Sequence, residues 1–312
     1  MALPHLVPVL QERLPLLDGV AEHDDRPPAP EDMAARDAFM AAVPGYSAPE
    51  VDVEEVVVDG PHGPVPVRVY RRDAGPAPAG LVWAHGGAFL GGDLDMPEAD
   101  VVAREIAARS GVVVVSVDYR LCHDGIHFPV PHDDVHAVTV WATSLDGVPQ
   151  DRWSVGGASA GGNLAGGVAQ RLRDEGRPPY GAALIYPVLH APLPASGDEE
   201  HDARIASLPP ALRFSPATTE FLNANYLGPN DADVPYAFPG HGGVAGLPPH
   251  LVVVCEYDDL LPSGVRYAQQ LADAGVEVEV DVVHGVPHGH LNMPGLPEAL
   301  ATIDRIAAFL SR

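Results

Sequence analysis

With 312 residues, the chain is long enough for one large α/β domain or two small ones around a sizeable core. Its 46% hydrophobic and 20% charged residues exclude disorder, collagen-like repeats and coiled coils, and because all 18 basic residues are arginine, Schiff-base lysine chemistry and pyridoxal enzymes are excluded too. The formal charge of −25 repels phosphate backbones and anionic lipid, so neither nucleic acid nor a membrane is an expected partner.

From Met1 to Leu17 the apolar residues are interrupted by Pro4, Pro8, Gln11, Glu12 and Arg13, which lacks the basic flank and unbroken apolar stretch of a signal peptide. Residues 1–50 mix proline, acid and short helical patches such as Glu31 to Ala42, and read as a peripheral helical arm. Val51, Val53, Val56 and Val58, then the turn Gly60-Pro61-His62-Gly63, then Val65, Val67 and Val69 read as an antiparallel hairpin. Short apolar strands then alternate with helix-length segments. Strands are predicted at Leu81 to Ala84, Val112 to Val117, Trp153 to Gly156, Ala182 to Tyr186, Leu251 to Cys255 and Val276 to Val283. Helices are predicted at about Met96 to Ser110, His132 to Ser144, Ser159 to Asp174, Ser263 to Ala274 and Leu296 to Ser311. The unalternated run Val112 to Val115 predicts burial on both faces, hence a doubly wound α/β fold: a mostly parallel sheet with an antiparallel start and helices on both sides. Between about His190 and Pro248 the rhythm fails. That stretch, rich in Pro, Gly and acids with one plausible helix at Ser215 to Tyr226, predicts an inserted cap packed with the N-terminal arm. The organisation expected is an arm over 1–50 and a main domain over 51–312, with the cap at about 190–248. The two cysteines, Cys122 and Cys255, make no disulfide framework, and no apolar run approaches the roughly 18–20 residues that span a bilayer. A cytoplasmic protein is expected.

The chemistry concentrates in three places. Gly157-Ala158-Ser159-Ala160-Gly161 follows a strand and opens a helix. So tight a turn strains its central residue and needs small residues two positions away on either side, which Gly157 and Gly161 supply. The turn lifts the Ser159 hydroxyl out of the sheet and sets the Ala160 amide at a helix N-terminus, where negative charge is stabilised. A phosphate loop or a plain packing turn is the competing reading, without a P-loop lysine to support it. Second, His85-Gly86-Gly87-Ala88-Phe89 follows the strand ending at Ala84. Paired glycines let amides approach a ligand closely, as an oxyanion hole requires, although a simple turn reads the same way. The other triplet, His241-Gly242-Gly243, has no strand before it and reads as a surface turn. Third, a serine nucleophile in this architecture needs an acid and then a histidine on later loops. Glu256, Asp258 and Asp259 follow one strand, and His284, His288 and His290 follow the next. A metal is the rival reading for these histidines and for His123, Asp124, His127, His132, Asp133 and Asp134. Both sets lie in or beside Gly/Pro-rich loops with no His-Glu-x-x-His helix, so no metal or other cofactor is expected.

Together these residues resemble the hormone-sensitive-lipase-like (family IV) carboxylesterases of the α/β-hydrolase superfamily, from about Val51 to the C-terminus. The family's His-Gly-Gly-Gly-Phe/Trp motif is matched at His85 to Phe89, with Ala88 for the third Gly. Its Gly-Asp-Ser-Ala-Gly-Gly is matched at Gly157 to Gly162, with Ala158 for Asp. Its Asp-Tyr-Arg-Leu-Ala-Pro-Glu run begins at Asp118-Tyr119-Arg120-Leu121 and diverges into Cys122-His123-Asp124. Its Asp-Pro-Leu-Arg-Asp element resembles Asp258-Asp259-Leu260-Leu261-Pro262, which selects Asp258 as triad acid, and its His-Gly-Phe ending resembles His288-Gly289-His290, which selects His288. The resemblance implies an α/β-hydrolase fold and a serine carboxylesterase that hydrolyses small to medium neutral esters through an acyl-enzyme. Ser159, Asp258 and His288 would form the triad, and the amides of Gly86, Gly87 and Ala160 the oxyanion hole. Phe89, Leu90, Tyr186, Phe214 and Leu222 are expected around the substrate, against the plainer reading of each as core. Two other uses of such a pocket stay open: a lyase-type dehydration, and a purely binding role as in receptors that kept the fold. Relatives are often homodimers; the sequence itself sets neither the oligomeric state nor the natural ester.

Overall fold

The valine-rich opening forms the hairpin that its alternation predicts. The computed structural model describes residues 5–22 and 29–312; Met1 and Pro4, part of the leader reading, lie outside the described residues. Strands β1 (Asp52–Gly60) and β2 (Gly63–Arg71) pair antiparallel. With β3 (Gly80–Ala84), β4 (Val113–Val117), β5 (Trp153–Ala158), β6 (Ala182–Ile185), β7 (His250–Tyr257) and β8 (Val278–Pro287) they build one sheet in the order β1-β2-β4-β3-β5-β6-β7-β8. The β2–β4 pair is antiparallel and every pairing beyond it is parallel. The strand-to-helix loops of β3, β5 and β7 therefore open at the same edge, which is where a doubly wound sheet collects its chemistry.

Side chains of successive strand residues enter opposite layers, and both layers are apolar. Val113, Val115 and Val117 of β4 join one cluster with Val82 and Val252, while Val114 joins the other with Leu81, Trp83 and Val253. Burial on both sides, at about 1.5–3 kcal/mol per large side chain, is why these strands read as continuous valine rather than as alternation.

Helices close both layers. α1 (Pro8–Arg13) and α2 (Pro30–Met40) belong to the arm, followed by α3 (Asp100–Ser110), α4 (Val130–Ala142) and α5 (Ala160–Asp174). α6 (Glu199–Ala206), α7 (Pro216–Leu227), α8 (Leu261–Asp273) and α9 (Pro297–Leu310) complete the described set. α4, α5 and α8 cover the first cluster; α3, α9 and the arm residues Leu10, Leu17 and Phe39 cover the second. The first helix predicted after β3 starts at Asp100 rather than Met96, because Pro97 and the residues around it form turns instead.

The stretch 190–248 holds two helices where one was expected. α6 is capped by Asp198, whose carboxylate accepts from the amides of Glu200 and His201, and its first turn is acidic; both features favour a helix start. The arm reaches this stretch directly. The Arg36 guanidinium donates to the Ala211 carbonyl at 2.9 Å, and Glu22 accepts from the Ser215 amide and the Thr218 hydroxyl, each at 2.6 Å. His241, Gly242 and Gly243 are exposed, after a short 3-10 turn at Pro239–His241. Among the described residues no helix is long and apolar enough to cross a membrane.

Candidate active site

β5 ends at Ala158 and α5 begins at Ala160, which leaves Ser159 at φ 54°, ψ −119°. A non-glycine residue there is strained, by about 1–3 kcal/mol, and the surroundings must hold it. The Ser159 amide donates to the Ile185 carbonyl at 2.8 Å, and the Asn163 amide donates to the Ser159 carbonyl at 3.1 Å. The flanking glycines have no alternative: a Cβ on Gly157 would lie 2.4 Å from the Gly161 carbonyl oxygen, and one on Gly161 would lie 2.0 Å from that of Ala84.

The loops after β7 and β8 bring Asp258 and His288 to this hydroxyl. Ser159 Oγ lies 2.9 Å from His288 Nε2, and His288 Nδ1 lies 2.7 Å from Asp258 Oδ2. The second Asp258 oxygen accepts from the Leu260 amide at 2.9 Å, so the carboxylate is fixed at both ends. Burial alone would lower the His288 pKa, but the charge and hydrogen bond of buried Asp258 more than offset it, and the imidazole sits above its ordinary value. Tyr186 and Phe214 meet its ring edge-on, with centroids at 4.9 and 4.7 Å. The remaining histidines of that run go elsewhere. His284 is exposed beside Glu256, and His290 is buried between Cys255 Sγ at 3.2 Å and the Thr302 hydroxyl at 2.9 Å. Neither this run nor the one from His123 to Asp134 converges into a metal-holding group among the described residues.

The loop after β3 departs from expectation at one donor. The Gly86 amide donates to Glu98 Oε2 at 2.6 Å, which removes it from the set free to bind an oxyanion. Among the described residues, the amides of Gly87, Ala88 and Ala160 have no protein acceptor. Ala88 and Phe89 both take positive φ, 55° and 62°, which turns the peptide planes of this loop; a Cβ on Gly87, at φ +111°, would lie 2.0 Å from the Gly91 carbonyl oxygen. Beneath the loop the Tyr119 hydroxyl donates to the His85 carbonyl at 2.8 Å, and its ring stacks on His85 at 4.5 Å.

A cavity of about 1040 Å³ is walled by residues such as Ala191, Leu193, Ile205, Phe214, Asn223 and Leu227; Ser159, Asp258 and His288 do not line it, and Phe214, whose ring meets His288, connects it to them. Phe214 is the one residue predicted around the substrate that lines it. Phe89 is fully buried and stacks on Tyr226 at 3.8 Å, Leu90 packs on the core, and the Tyr186 hydroxyl donates to Glu98 at 2.5 Å. Leu222, half-buried on α7, lies off this wall. The plainer reading holds for Phe89 because its flat ring finds a better partner in Tyr226 than in open space.

Residues 81–292 match the family model for the alpha/beta hydrolase fold. This chain belongs to that family, in its hormone-sensitive-lipase-like branch. It is 36% identical over 271 residues to Esterase LipI of Mycobacterium tuberculosis, covering 82% of this chain and 81% of that one. Carboxylic ester hydrolase LipN of the same organism is 33% identical over 95% of this chain and 80% of its own. Among solved structures, a hyperthermophilic esterase from Pyrobaculum calidifontis superposes with a TM-score of 0.81 at 30% identity, over 98% of each chain.

Against the motifs of that hydrolase branch, the departures in this chain acquire partners. Asp259, in the place of the family's Pro, receives two hydrogen bonds from Arg213, each 3.0 Å, and one from the Phe214 amide at 2.8 Å. His290, in the place of Phe, finds Cys255 and Thr302. The divergent loop is tied to α7 and its neighbours: the Cys122 amide donates to the Phe89 carbonyl at 2.7 Å, and Asn225 donates to the Cys122 carbonyl at 3.1 Å. Glu98 is the functional candidate that sequence reasoning missed. Its buried carboxylate has no motif around it, since its partners come from distant segments.

Proposed function

We propose that this chain hydrolyses carboxylic esters with Ser159 as nucleophile, His288 as general base and acid, and Asp258 as the group that orients and charges His288. The observation that carries the reading is the unbroken chain from Ser159 Oγ through His288 to Asp258, with spacings of 2.9 and 2.7 Å, at a strained turn facing free amides. His288 Nε2 takes the Ser159 proton as Oγ bonds to the ester carbon. The charge on the carbonyl oxygen falls to the amides of Gly87, Ala88 and Ala160, with Ala88 replacing the Gly86 first expected; each donor is worth about 10²–10³ in rate. The imidazolium protonates the leaving alkoxide, and water activated by the same nitrogen then releases the acid and restores the serine.

The names of the relatives, esterases and carboxylic ester hydrolases, favour this reaction. The substrates are taken to be small to medium esters reaching the triad past Phe214, which lines the cavity and meets His288, and the strongly acidic chain favours neutral ones over anionic ones. The arm over 1–50 and the stretch 190–248 act together as the cap over the site, and a cytoplasmic location agrees with two free, buried cysteines. The test is Ser159→Ala against a short p-nitrophenyl ester. The variant loses at least about 10³-fold in kcat while unfolding at the wild-type temperature; retained turnover contradicts the assignment.

A further inference from the structure

The Glu98 carboxylate is buried at 1% exposure, in the loop that leads from β3 to α3. Three donors from three different segments point at it: the Gly86 amide at 2.6 Å, the Tyr186 hydroxyl at 2.5 Å and the Asn292 side-chain amide at 3.3 Å. Its own backbone is held as well. The Glu98 amide donates to Asn292 Oδ1 at 3.2 Å, and its carbonyl accepts from the Trp83 indole at 2.9 Å. Burial holds this carboxyl above the usual carboxylate range, against the pull of those donors. A group so costly to bury is tolerated only when its hydrogen bonds are satisfied.

What those segments carry explains the arrangement. Gly86 lies in the loop after β3 just before its two free amides, Tyr186 directly follows β6 and packs its ring against His288, and Asn292 follows His288 by four residues. The space at Gly86 is shaped for this contact, because a Cβ there would stand 2.5 Å from Glu98 Oε2. We infer that Glu98 is a positioning residue: one carboxylate locks the oxyanion loop, the tyrosine behind the imidazole and the histidine loop in mutual register, so that the amides of Gly87 and Ala88 meet the carbonyl oxygen that Ser159 and His288 create. The inference rests on the ester-hydrolase reading. Glu98 touches no reacting atom and works through the Gly86 peptide and Tyr186.

The experiment compares wild type with Glu98→Gln, which keeps the shape and an acceptor for the Gly86 amide but places an NH₂ among donors. Active sites are counted by burst titration, so that kcat refers to folded enzyme. A trifluoromethyl ketone, which Ser159 adds to and which carries a negative oxygen into the same amides, reports on the oxyanion loop. Misplacing that loop lowers kcat by about 10–100-fold with KM nearly unchanged, and weakens the ketone by the same factor as kcat/KM. Glu98→Asp, a carboxylate one methylene shorter, recovers part of the loss. Tyr186→Phe, which leaves Glu98 in place and removes one donor, lowers kcat in the same direction and covers the case in which Glu98→Gln does not fold. Unchanged kcat per active site in either foldable variant, or a loss confined to KM or to the folded fraction, overturns the inference while wild-type turnover keeps the esterase reading intact. A wild-type protein that turns over no ester overturns both.

Discussion

His290, where the family motif has Phe, stays apart from the chemistry of His288. Enclosed by Tyr186, Cys255 and Thr302, it has no carboxylate partner among the described residues, and burial together with the nearby His288 charge pushes its pKa down to about 3. It stays neutral while His288, held up by Asp258, titrates above the ordinary imidazole value. Protonated His288 cannot accept the Ser159 proton, so kcat/KM falls as pH drops, with one acid limb above the free-imidazole pKa of about 6.5. A pH–rate profile checks this, and His290→Phe leaves the limb where it is. Asp258→Asn moves the limb to lower pH, because the charge that raised it is gone, and lowers kcat by about 10⁴-fold. An unmoved limb in that variant would show that His288 is not the group titrating.

At the scale of elements, the pair Arg213–Asp259 fastens the segment between α6 and α7 to the loop that carries the triad acid. It thereby holds Phe214 on the His288 ring. Asp259→Asn removes the charge from a half-buried pair and lowers stability by about 1–3 kcal/mol, toward the smaller figure because Arg213 is partly solvated. Denaturant unfolding measures that change, and kcat falls with it as Phe214 loosens. Gly161→Ala tests the turn after β5: with a carbonyl oxygen 2.0 Å from the new Cβ, the variant loses activity and folds poorly, which solubility and circular dichroism record. These elements differ in how plainly the sequence announces them. The turn at Ser159 and the valine strands are legible because local sterics and burial on both faces write themselves into consecutive residues. The order of Ser159, Asp258 and His288 is legible because each follows a strand end. Glu98 is not, since its partners stand 12, 88 and 194 residues away. That the Gly86 amide, expected in the oxyanion hole, is bonded to Glu98 was illegible for the same reason, as nothing near it in sequence signals that partner. α6 was missed although Asp198 and its acidic first turn marked the start, because surrounding prolines and the glycine before Asp198 outweighed them.

Over the whole molecule, a charge of −25 with no lysine sets a field that substrates meet before any contact. Neutral and cationic esters react faster than anionic ones of equal size at low ionic strength, and the ratio shrinks as salt brings the screening length toward about 8 Å. Matched ester pairs assayed across a salt series check that expectation; a ratio indifferent to salt contradicts it. The fold places this field around a site built from segments spread over most of the chain, and only their convergence makes Ser159 more than an ordinary hydroxyl. Incubating the protein with a serine-reactive phosphonate and mapping the adduct by mass spectrometry tests that convergence most directly. Stoichiometric labelling of Ser159, lost in His288→Ala, is the predicted result. An unlabelled Ser159 in folded protein, or labelling that persists undiminished without the imidazole, contradicts it.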